Sequence, residues 1–165
     1  NQFALSDLHG VIKRVIFPEA FLGDERFNLN EEHRNFMLKY MSMLPAESEF
    51  PKYDSVEYYD GYSKFFKFGA SKNPIPKQFR VFNKTGWSYG FLIDGSYFVD
   101  FDSGVEFLVS AVVYVNEDEI LNDNKYEFEE IGKPFFAELG EYLYQLELNR
   151  KKAIPADLAK FRFEY

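Results

Sequence analysis

The stretch from Val105 to Val115, VEFLVSAVVYV, is apolar except for Glu106 and Ser110. A short run of this kind, rich in β-branched residues and followed by an acidic segment, reads as a strand covered on both faces. Just before it stands Tyr97-Phe98-Val99-Asp100-Phe101, and between them Asp102-Ser103-Gly104. Strand, turn tripeptide and strand make an antiparallel hairpin. Phe79 to Thr85 alternates apolar and polar residues and supplies another strand. The expectation is one antiparallel sheet of residues 79–85, 96–101 and 105–115. The last strand should lie between two partners or beside a vacant edge.

Helices flank this sheet in the sequence. Ser6-Asp7 precedes Leu8, Val11, Ile12, Val15 and Ile16, which recur at helical spacing, and Phe17-Pro18 closes the segment. Ser6 is the expected cap. Asn28 to Glu32 opens a second helix with acids in its first turn. Its expected inner face is Phe36, Met37, Tyr40, Met41 and Leu44. Residues 45–54 read as a loop, and Ser55 caps a third expected helix that carries Tyr58, Tyr59, Tyr62, Phe65 and Phe66 up to Gly69. After an acidic loop at 116–124, Phe128, Ile131, Phe135, Leu139, Leu143 and Leu146 mark one stripe of a long helix that starts or bends at Pro134. Residues 149–165 form a basic tail that Leu158, Phe161 and Phe163 could dock. The fold class is α+β: N-terminal helices, a three-stranded antiparallel sheet, and a long C-terminal helix packed on it.

Size and charge restrict function. With 165 residues and 20 % aromatic side chains, the chain can bury one core, so residues 1–165 read as a single domain. A net charge of −8 argues against a nucleic-acid partner, which needs a concentrated basic surface. There is no cysteine, so thiolate chemistry and disulfides are excluded. His9 and His33 have no companion at metal-ligand spacing, and neither a metal nor another cofactor is expected. The acidic residues from Glu117 to Glu130 lack the spacing of a calcium loop and read as a solvated face. The rings at 58–68 could form a carbohydrate or peptide platform, although helical spacing points to core. Arg150-Lys151-Lys152 reads as helix-terminal charge.

One local pattern carries chemistry. Lys84-Thr85-Gly86 ends a predicted strand and is followed by a hairpin and a long helix. A lysine on a strand offers a fixed positive charge to a carboxylate, the threonine adds a hydroxyl, and the glycine lets a substrate backbone come close. The segment NKTGWSYGFLIDGSYFVDFDSGVEFLVSAVVYVN resembles the stretch around this motif in class A β-lactamases and penicillin-binding proteins, with the same order of strand, motif, strand, turn, strand and helix. The resemblance runs over about residues 5 to 148 and is strongest from 82 to 116. It implies a partial β-lactamase/transpeptidase-like fold. It also implies that Lys84, Thr85 and Gly86 bind the substrate carboxylate and that the Trp87 backbone N–H is an oxyanion donor.

The departures are as informative. No serine in the chain has a lysine three residues later, so the Ser-x-x-Lys nucleophile of that family is missing. Ser6-Asp7-Leu8 is the nearest approach to the family's Ser-Asp-Asn and sits on the wrong element. Glu25 follows the first helix and takes no deacylating role. All these pieces belong to the family's N-terminal part. The chain thus reads as the C-terminal portion of a serine hydrolase acting on a β-lactam or a peptidoglycan-type peptide through an acyl-enzyme, inactive by itself. The expected partners are a carboxylate-bearing substrate, the missing N-terminal part, and another copy at an exposed sheet edge. The expected location, by resemblance, is periplasmic or cell-surface. The alternative is a non-catalytic binding or interaction module on the same scaffold.

Overall fold

The computed structural model describes residues 3–165. Helix α1 spans Leu5–Ile16 and α2 spans Glu31–Ser42. A four-residue turn of helix, α3, covers Phe65–Phe68. Strands β1 (Phe79–Ser88), β2 (Phe91–Asp100) and β3 (Val105–Tyr114) follow, and then α4 (Lys133–Asn149). The sheet is antiparallel with order β1-β2-β3. The architecture is α+β, with α1 against β2 and β3, α2 against β1, and α4 against α3 and β3. No helix among the described residues is long and apolar enough to cross a membrane.

The covered strand is β2, not the apolar run. Every residue of β2 from Asp94 to Asp100 is buried, whereas β3 is mostly half-buried and lies at the vacant edge. Its apolar character comes from helices above and below it. In β2 the polar residues Asp94, Ser96 and Asp100 are buried with internal partners, so composition concealed its central place.

Two core layers form on the two faces of the sheet. Leu8, Ile12, Val15 and Ile16 of α1 and Leu38 of α2 pack with Phe82, Tyr97 and Val99. Leu158 and Phe161 join this layer, with the Phe161 ring 4.9 Å from Tyr97, so the C-terminal tail is docked. On the opposite face Phe65, Phe66 and Phe136 close over Leu92, and Phe68, Ile75 and Leu44 over Phe79, Val81 and Phe98.

Several sequence expectations shift. The cap of α1 is Ala4, not Ser6. Asn30 caps α2, accepting from the His33 N–H at 2.8 Å. The inner face of α2 is turned: Phe36 is 63 % exposed, Tyr40 is exposed as well, and Leu38 and Ser42 are buried. The third helix does not form over 55–68. A 3₁₀ turn at Asp60–Ser63 and the short α3 replace it, and Lys67 takes φ +70°. Gly61 explains part of this, since a Cβ there would lie 2.3 Å from the Phe68 carbonyl oxygen. Helix α4 begins at Lys133, with Pro134 in its first turn, where the missing N–H costs nothing. Its buried face is Lys133, Phe136 and Gly140, one position away from the expected stripe, and Ile131, Phe135 and Leu146 face outward. Gly140 sets this rotation. A Cβ there would stand 2.2 Å from the Lys67 nitrogen, so the helix meets the 66–67 backbone directly.

Candidate functional site

Tyr89 and Gly90 join β1 to β2 with φ +51° and +83°, the left-handed pair of a two-residue hairpin. Such a turn makes Ser88 and Phe91 a hydrogen-bonded pair, and the pattern alternates from there. At the far end the Phe101 N–H donates to the Gln78 carbonyl at 2.9 Å, in the same phase. Even-numbered residues of β1 therefore bond to β2. Thr85 and Trp87 direct their backbone N–H and C=O groups to the outer edge of the sheet.

Lys84 is exposed on this strand, and its ammonium donates to the Thr85 carbonyl, not to a carboxylate. Lys84, Thr85 and the Trp87 N–H are thus brought to one sheet edge. The side chains divide, however. Strand alternation sends Lys84 to the α1 side and Thr85 and Trp87 to the α4 side. A Cβ at Gly86 would stand 3.1 Å from Ile93 Cγ2, close enough that the Ile93 side chain would have to give way.

Behind the edge lies a buried polar network that the sequence reading missed. Lys64 Nζ donates to the Asn83 side-chain oxygen at 2.7 Å and to the Met41 carbonyl at 2.6 Å. Asn83 Nδ2 donates to both Asp94 oxygens at 3.1 and 3.2 Å and to the Ser63 carbonyl at 2.7 Å. Ser96 Oγ completes it with a 2.8 Å bond to Asp94. Burial pushes the Lys64 ammonium down to about 7, against the pull of Asp94. Burial likewise pushes the Asp94 carboxyl up to about 7, against its hydrogen bonds from Ser96 and Asn83. The visible signal was Asp94 and Ser96 on one face of an otherwise apolar strand.

No family model matches this chain, and neither a curated protein nor a solved structure does.

The Trp87 ring closes the other side of the edge. It is 37 % exposed and lies 5.2 Å from the Tyr62 ring, centre to centre, and 5.9 Å from Phe128. Beneath it Lys133 is buried, with its ammonium 4.7 Å from the Trp87 ring and 5.5 Å from those of Tyr59 and Tyr62. The same ammonium donates to Glu129 at 2.5 Å and to the Tyr59 hydroxyl at 3.0 Å. Rings, carboxylate and hydroxyl together compensate the buried charge and fix Trp87 from below. A cleft of about 500 Å³ opens between Trp87, Ser88, Tyr89 and the 122–129 segment.

Proposed function

We propose that this chain supplies the substrate-carboxylate and oxyanion wall of a β-lactamase-like serine hydrolase. The substrate is a β-lactam or a peptidoglycan-type peptide, and the reaction proceeds through an acyl-enzyme whose nucleophile comes from another segment. One observation carries the reading: the Lys84 ammonium, the Thr85 carbonyl and the outward Trp87 N–H share a strand edge that no other strand among the described residues pairs with. An extended substrate can pair along that edge while its carboxylate meets Lys84. Lys84 is the carboxylate holder, the Thr85 hydroxyl meets the substrate from the opposite face of the strand, Gly86 leaves room, and the Trp87 N–H steadies the developing oxyanion. The N-terminal partner segment would cover the outer edge of β3 and the exposed row Phe135, Tyr142 and Leu146 of α4.

The test is a chemical-shift titration with a penicillin-class β-lactam and with its methyl ester. The acid is expected to move the Lys84, Thr85 and Trp87 amides, and Lys84→Ala to weaken it about ten- to hundred-fold, the worth of one charge-assisted contact. Equal responses to acid and ester would sink the assignment. No covalent adduct should form, and one detected by mass spectrometry would show that a nucleophile had been overlooked.

A second reading, a non-catalytic binding module, is favoured by the lack of any Ser-x-x-Lys in the chain. A Ser-x-x-Lys encoded upstream of Asn1 decides for the hydrolase, and its absence for the module.

A further inference from the structure

The rings around Trp87 belong to one unbroken path. Tyr53 contacts Tyr58 at a centroid distance of 5.1 Å, and Tyr58 contacts Tyr62 at 5.0 Å. Tyr62 reaches Trp87 at 5.2 Å, Trp87 reaches Phe128 at 5.9 Å, and Phe128 reaches Tyr126 at 5.3 Å. The first three rings wall a cleft of about 430 Å³ beside the end of α2. The last three wall the cleft of about 500 Å³ described above. None of the six rings is fully buried, and Tyr53 is 41 % exposed. Rings in contact along a partly exposed path of this kind suit an interaction site.

The segment that supplies the far wall is acidic, although the one carboxylate lining the cleft, Glu129, is bonded to Lys133. Residues 116–130, which include Asn122, Asn124, Tyr126, Phe128 and Glu129 of the second cleft, carry seven carboxylates against the single Lys125.

We propose that this aromatic path docks an extended, proline-rich segment of a partner protein that carries arginine or lysine. The segment binds as a polyproline II helix. Its pyrrolidine faces pack on the rings, and its free carbonyls accept from tyrosine hydroxyls and the Trp87 Nε1–H. At ~3.1 Å per residue, a segment of about ten residues spans the path. Its cationic end lies against the 116–130 wall, where charge complementarity sets orientation and speeds encounter. An oligosaccharide could stack on the same rings but would gain nothing from that wall. The inference rests on the aromatic path and the acidic segment beside it and does not depend on the role assigned to Lys84.

Trp87 is the only tryptophan, so its emission reports the centre of the path directly. The full chain would be titrated with a twelve-residue peptide of alternating prolines and arginines, its Arg-to-Gln analogue, and chitohexaose. The arginine peptide is expected to shift Trp87 emission saturably and to bind about tenfold more tightly than the glutamine analogue, with the difference shrinking in high salt. Tyr58→Ala and the more exposed Tyr53→Ala should each weaken binding by about tenfold, with circular dichroism showing both folded. No saturable response to the arginine peptide overturns the proposal, as does equal affinity for the analogue. A response to chitohexaose alone assigns the path to glycans and overturns it too.

Discussion

Lys64 and Asp94 sit in one buried network, and burial drives each toward its neutral form. The hydrogen bonds through Asn83 and Ser96 hold the two together at the cost of desolvation. Removing one partner leaves the other uncompensated. Lys64→Met should therefore lower stability by roughly 3–5 kcal/mol, and Lys64→Met with Asp94→Asn should recover most of that. Urea unfolding of the single and double variants measures the difference. A double variant as weak as the single would show that Asp94 does not depend on Lys64. Lys84 is the contrast at this scale. It is exposed and bonded only to its neighbour's carbonyl, so Lys84→Ala should change unfolding free energy by less than about 0.5 kcal/mol.

At the scale of elements, two contacts decide how helix and hairpin sit on the sheet. Gly140 lets α4 lie on the 66–67 backbone, where no flexible side chain can give way. Gly140→Ala should cost about 1–3 kcal/mol, read from the denaturation midpoint, despite alanine's better helix propensity. A neutral or stabilising result would mean that the helix can shift without loss. The β2–β3 turn is organised by Asp100. Burial alone would raise its carboxyl. The Ser103 hydroxyl, the Asp102 N–H, the Tyr144 hydroxyl and the Ser103 N–H donate to it and together hold it below the ordinary value of 3.8. A depressed folded-state pKa stabilises above the unfolded value and loses that contribution as pH falls through the folded one. Thermal stability of the wild type should therefore drop as pH falls below about 4, and Asp100→Asn, weaker at neutral pH, should show a shallower fall. Parallel curves for the two would remove Asp100 from the account of acid lability.

For the whole molecule, the vacant edge of β3 is the feature with the widest consequence. The Val115 N–H donates to the Gly90 carbonyl at 2.7 Å, which places the even-numbered residues of β3 with their backbone groups outward. That edge carries one charged residue, Glu106, and no proline, and Val112 and Tyr114 are exposed on it. Such an edge pairs with another strand. The expected result is concentration-dependent self-association in sedimentation velocity, suppressed by Val112→Pro. That substitution removes only an outward N–H, so the variant should stay folded. Strictly monomeric behaviour of the wild type at high concentration would argue that the edge is protected.

The local grammar of the chain determined much of this by itself. The apolar run after Asp102-Ser103-Gly104 reads as a strand of a hairpin, and the segment from Asn28 to Glu32 as the start of a helix, which Asn30 caps. Lys84 was likewise legible as an accessible charge on an alternating strand, because alternation and exposure are local properties, although the strand runs past the motif to Ser88 and does not end there. Which strand is central was not legible. Asp94, Ser96 and Asp100 make β2 look half-solvated, and only partners distant in the chain, among them Asn83 and Tyr144, satisfy them inside. The buried face of α4 was hidden for the same kind of reason. Its large apolar residues suggested one stripe, but the close approach at Gly140 set another. The failure of the third helix and the meeting of Tyr62 with Trp87 also belong to tertiary structure. Periodicity describes what a segment can do alone, whereas ring packing and buried hydrogen bonds depend on what the rest of the fold places opposite it.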